Sequence, residues 1–204
     1  MQERYIGILL YEGVEVLDFS GPFEVFTTAR RVAEKDGETF AYSPLLIASS
    51  LQPVHARANY RVLPDHDFAS HPALDILLVP GGVHEPLLDD DQLLGWVKTE
   101  APKVSLLASV CTGAFILAEA GCCSGKTMTT HWEDIPDFRE RYPAIDCARN
   151  VRWVEDGALI SSAGISAGID MALQMVARLG SEELAKRTSR QMDFDWTRTG
   201  LSIA

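Results

Sequence analysis

The segment Val104-Ser105-Leu106-Leu107-Ala108-Ser109-Val110 is mostly apolar and stops abruptly at Cys111. A short run of this kind suits a strand buried on both faces of a parallel sheet. Residues 112–120 then read as a helix, which Gly121 ends. The chain must therefore turn from a central strand into a helix at a single cysteine. Ser109 two residues before it and Gly113 two residues after it are small enough for that turn. The spacing is that of a nucleophile elbow, with cysteine in place of serine and Ser109 in place of the first glycine. A thiol at a helix N-terminus meets backbone N–H groups and the positive end of the helix dipole. Its pKa is expected to fall, and Cys111 is expected to alkylate before Cys122, Cys123 or Cys147. The competing reading is a plain core cysteine.

Around this junction the spacing predicts strands over 5–11, 43–48, 75–79 and 126–130, and a small hairpin within 54–64. Helices are expected over 22–34, with Ser20 or Gly21 as cap, over 88–100, and over 133–142, where Pro136 breaks the pattern. A polar loop covers 35–38. Asp156-Gly157 centres a hairpin over 151–162. Ser166 is expected to cap a helix over 167–179, and Ser181 another over 182–192. With no repeat or linker, residues 1–204 read as one domain. Strands alternating with helices predict an α/β fold, a doubly wound and mostly parallel sheet with helices on both faces.

Charge narrows the function classes. Eighteen basic against 29 acidic residues leave a net charge of -11, which opposes nucleic acid or an anionic membrane as partner. No stretch has the ~20 apolar residues of a membrane span, and the N-terminus does not read as a signal peptide, so a cytoplasmic location is expected. The four cysteines form no C-x-x-C pair and no zinc-like cluster with histidine, and a structural disulfide is not expected. Of the adjacent Cys122 and Cys123, at least one is expected near the surface.

In such a sheet, ligands bind at the carboxyl ends of the strands. Asp18 after the first strand, Gly81 and Gly82 after the third, and Cys111 all fall on that edge. Without a side chain, Gly82 can bring its N–H to a ligand, and with the Thr112 N–H it suits an oxyanion pocket beside the sulfur. Asp18 has two readings. A carboxyl kept protonated by apolar surroundings serves as a proton carrier, whereas a plain helix cap needs only its oxygen. Gly81-Gly82 reads equally as a simple turn. His55, His66, His71 and His84 lack ligand spacing, and no metal site is expected.

Five segments taken together, Leu17-Asp18-Phe19-Ser20-Gly21-Pro22, Val79-Pro80-Gly81-Gly82, Ser109-Val110-Cys111-Thr112-Gly113-Ala114, Thr129-Thr130-His131-Trp132 and residues 162–170, resemble the ThiJ/PfpI superfamily of class I glutamine-amidotransferase-like proteins. The resemblance spans nearly the whole chain in order. It is strongest to isonitrile hydratases and to the sensor domains of AraC-type regulators. It implies a flavodoxin-like fold and Cys111 as nucleophile. It also implies Asp18 as the acid paired with the sulfur, and Thr112 as the residue after the cysteine, where the protease-like branch has histidine. Gly81, Gly82 and His131 fall at substrate-binding positions, and His131 has a buried structural reading beside that one.

The resemblance further implies a homodimer acting on a small molecule without a cofactor. Phe23 and Phe26 near Asp18 are expected to leave an apolar patch for the dimer contact. Two classes of function follow. One is a hydro-lyase adding water to an isonitrile, with glyoxalase or deglycase chemistry as an enzymatic variant. The other is a non-catalytic small-molecule sensor.

Overall fold

The computed structural model describes residues 2–37 and 40–203. Strand β1 (Gln2–Leu9) leads into α1 (Val16–Lys35) and β2 (Phe40–Ala48). A hairpin of β3 (Val54–Ala56) and β4 (Tyr60–Val62) follows, then β5 (His66–Asp67), β6 (Ile76–Val79) and α2 (Asp91–Glu100). Next come β7 (Leu106–Val110), α3 (Gly113–Glu119), β8 (Thr127–Met128), α4 (Ile135–Arg141) and β9 (Asp146–Cys147). The chain ends in β10 (Trp153–Asp156), β11 (Leu159–Ser162), α5 (Ala167–Leu179), α6 (Glu182–Gln191) and β12 (Gly200–Ile203).

Eight strands form the main sheet in the order β12-β10-β11-β7-β6-β1-β2-β5. All its pairs are parallel except β10 with β11. Strand β7 lies between β6 and β11 with all five residues buried, as its unbroken apolar run requires. Helices α1, α5 and α6 pack together, and α2 packs on α3, so the sheet is covered from both sides. This is the expected α/β architecture.

Several local expectations need correction. Helix α1 starts at Val16, six residues before Pro22, and its N-cap residue Glu15 makes no side-chain cap bond. The helix runs through Pro22 because the proline removes one N–H but not the buried face carried by Phe19, Val25, Phe26 and Ala29. Residues 85–89 form a 3-10 turn, and α2 begins only at Asp91, where Asp90 Oδ1 accepts from the Gln92 and Leu93 amides. Pro136 sits in the first turn of α4, where no N–H is needed, and does not break it. Ser181 caps α6 as expected, accepting from the Leu184 N–H at 3.0 Å. Ser166 stands at the start of α5 but makes no cap bond. Phe26 is fully buried, so it contributes nothing to an exposed patch. Cys123 is buried and Cys122 half-buried. Of the polar loop over 35–38, Glu38 lies outside the described residues. Strand β12, parallel to β10, has no counterpart in the sequence reading.

Candidate active site

Cys111 has φ of 55°, the left-handed region that a cysteine adopts only under constraint. The turn is held from both sides. The Cys111 N–H donates to Ser162 O at 3.1 Å, and its carbonyl accepts from Thr130 Oγ1 at 2.8 Å. Gly113 has to be glycine, since a Cβ there would lie 2.1 Å from Val79 O. The elbow read from the sequence is thus present, with the residue 8% exposed.

Asp18, in the first turn of α1, is held beside the thiol by the β6 exit loop. Gly81 O accepts from the Glu15 N–H at 2.8 Å, and the Gly81 N–H donates to Asp18 Oδ2 at 3.1 Å. Gly81 has no room for a side chain, because a Cβ would lie 2.8 Å from both Asp18 Oδ2 and Cys111 Cβ. Asp18 is fully buried, its Oδ1 has no N–H or O–H partner among the described residues, and the group beside the carboxyl is the Cys111 thiol. It caps no helix end. Burial raises its pKa to about 7, Glu15 adds to the rise, and the Gly81 N–H and the thiol oppose it.

The expectation of a depressed thiol pKa is overturned. Burial pushes the Cys111 pKa well up, and the Asp18 carboxylate pushes it further, while the Thr112 N–H pulls the other way and loses. Helix α3 is only seven residues long, and its end effects are worth about 1 kcal/mol, less than desolvating a thiolate. Asp18 is the first of the pair to give up its proton. Cys122 is more accessible than Cys111.

The oxyanion pocket is also smaller than expected. The Gly82 N–H donates to Thr112 Oγ1 at 3.0 Å, and that hydroxyl donates back to Gly82 O at 3.1 Å. Thr112 therefore locks the elbow onto the β6 exit loop, and of the two expected donors its own N–H alone faces the sulfur.

A cleft of about 400 Å³ opens over Cys111, Thr112 and Gly82. His131 lines it, with Nδ1 3.2 Å from Asp134 Oδ2, so the structure brings this histidine to the site. Sequence reasoning missed His84, Asp134, Glu15 and Ile165, which also line the cleft. His84 is buried with its ring 4.4 Å from that of Phe115. Its position two residues after Gly82 was the available signal, as was that of Asp134 three after His131. Among the described residues no group of three acidic, histidine or cysteine side chains is placed to hold a metal ion. No described helix is long and apolar enough to cross a membrane.

Residues 4–178 match the model of the DJ-1/PfpI family. The chain belongs to that family. It is 33% identical over 192 residues to isonitrile hydratase of Pseudomonas putida, covering 93% of this chain and 78% of the hydratase. It is 29% identical to the HTH-type transcriptional regulator CdhR of Pseudomonas aeruginosa, over 90% of this chain but only 53% of the regulator. Among solved structures, a ThiJ/PfpI family protein from Pseudomonas syringae superposes with a TM-score of 0.83 at 29% identity, covering 97% of this chain and 78% of that one. The family thus holds both enzymes and regulators.

Proposed function

We propose that this chain is a cysteine-dependent hydro-lyase that adds water to an isonitrile and releases an N-substituted formamide. The observation that carries the reading is the buried Cys111–Asp18 pair, a nucleophile beside a carboxyl that titrates at about 7. Such a carboxyl both takes and returns a proton near neutral pH. As the sulfur bonds to the terminal isonitrile carbon, Asp18 accepts the thiol proton and passes it to that carbon, leaving a thioimidate on Cys111. Water then adds across the C=N bond, its oxygen to the carbon and one proton to the nitrogen; the C–S bond breaks, the remaining hydroxyl proton passes to the sulfur, and the formamide leaves. The covalent intermediate divides one hard addition into two easier steps.

Gly82, Thr112 and His131 border the substrate in this reading, with the Thr112 N–H facing the developing charge, while Gly81 holds Asp18. Four carboxylates, Glu15, Glu85, Glu133 and Asp134, against one guanidinium, Arg57, line the cleft; they oppose an anionic substrate and suit an uncharged isonitrile. Leu17, Val83, Trp132 and Ile165 are exposed apolar residues, each next in sequence to a residue at the site, and support a homodimer formed near the cleft. The acidic charge supports a cytoplasmic small-molecule role rather than a nucleic-acid one.

A turnover screen over isonitriles, methylglyoxal and peptides tests the proposal, with Cys111→Ala alongside. Formamide is expected from the wild type, with kcat/KM rising with pH through about 7 as Asp18 ionises, and none from the variant. Likeness to regulators over nine-tenths of the chain favours a sensor as the second reading. Binding of an isonitrile without turnover would favour it over the enzyme.

A further inference from the structure

Gly164, in the segment 163–166 between β11 and α5, lies against the sulfur. A Cβ on Gly164 would lie 2.7 Å from Cys111 Sγ and 2.6 Å from His131 Cδ2, so this backbone is packed against both groups. Arg152 is tied to both ends of the segment. Its carbonyl accepts from the Ala163 N–H at 3.0 Å, and its Nη2 donates to Ser166 Oγ at 3.2 Å. The guanidinium is oriented by Asp170, which is fully buried. Arg152 Nε donates to Asp170 Oδ2 at 2.5 Å, and Nη2 pairs with the same oxygen. Asp170 Oδ1 accepts from the Thr197 N–H at 2.7 Å.

Two features do not serve the helix. Ser166 stands at the N-cap position of α5, yet its hydroxyl is engaged by Arg152 and caps nothing. A cation at a helix N-terminus also opposes the dipole. We infer that Arg152 is a positioning residue for the reaction at Cys111, holding Gly164 against the sulfur through its half-buried pair with the buried Asp170. The planar fork engages Asp170 and Ser166 together, which a lysine ammonium on a flexible stem does not reproduce.

The test compares Arg152→Lys and Ser166→Ala with Arg178→Lys. Arg178 is the control, since it also bridges α5 and the hairpin, through Glu155 at 2.7 Å and Gly157 O at 2.8 Å. Iodoacetamide labelling of Cys111, mapped by mass spectrometry, is expected to speed up at least about fivefold in Arg152→Lys and about twofold in Ser166→Ala, and to stay at the wild-type rate in Arg178→Lys. kcat should fall in the same order with KM moved less than about twofold. Equal labelling of Cys111 in Arg152→Lys and Arg178→Lys overturns the inference. Should Arg152→Lys not fold, Ser166→Ala decides, because Ser166 is exposed; an unchanged Cys111 rate there overturns it too. The kcat arm rests on the isonitrile reading and the labelling arm does not. A wild type inactive on isonitriles with Arg152-dependent labelling sinks that reading alone.

Discussion

Asp18 and Asp170 are both fully buried aspartates in the first turn of a helix, yet they face opposite surroundings. Asp170 accepts from the Arg152 guanidinium and the Thr197 N–H, so a cation and a donor oppose the pull of burial on its pKa. Among the described residues Asp18 has one backbone N–H, no cation, and a neutral thiol for a neighbour. Burial still leaves the Asp170 pKa raised, but the cation and the donor oppose it and tie the carboxyl as a joint between Arg152, α5 and the C-terminal segment. Asp18 keeps a proton it can exchange. Burial alone does not make an aspartate reactive; the absence of a counter-charge does.

The widest split should appear in turnover. Asp18→Asn preserves the oxygen that accepts from Gly81 but cannot titrate, and is expected to lower isonitrile turnover ~10² to 10⁴-fold. Normal turnover in that variant would erase the functional side of the contrast.

The next effect is on stability and carries a sign. The ordinary aspartate value is 3.8 and native Asp18 titrates at about 7, so the native state holds this proton more tightly. Stability from this group is complete below about pH 4 and lost as pH rises through 7. Asp18→Asn should match the wild type near pH 4 and exceed it by up to about 4 kcal/mol at pH 8, read from urea unfolding at both pH values. A variant no more stable than wild type at pH 8 would mean that Asp18 has a counter-charge after all.

Asp170→Asn should go the other way, costing about 2–3 kcal/mol at pH 8, because it leaves Arg152 without its anionic partner. Equal signs for the two asparagine variants in the same unfolding series would break the comparison.

The smallest effect belongs to His131. Its ring borders the cleft and pairs with Asp134, but Asp18 is the proton carrier beside the sulfur. His131→Asn is expected to lower kcat by less than about tenfold. A loss as large as that of Asp18→Asn would move the proton-carrying role to the histidine.

The α/β order, the strand-to-helix turn at Cys111 and the family motifs were legible in the chain alone, because period, turn sterics and short spacings are local properties. That order also brought Asp18, Gly81, Gly82 and Cys111 to one edge, since parallel strands share their carboxyl ends. The start of α1 was hidden because Pro22 marks a helix beginning by propensity, while tertiary burial carried the helix back to Val16. The direction of the Cys111 pKa was decided by what surrounds the sulfur, and desolvation with a carboxylate outweighed a short helix end. The use of Gly82 was decided by a hydroxyl 30 residues away, and that of Ser166 by a guanidinium 14 residues away. Protonation and hydrogen-bond partnership depend on which groups the fold brings within a few ångströms, and local sequence does not carry that distance.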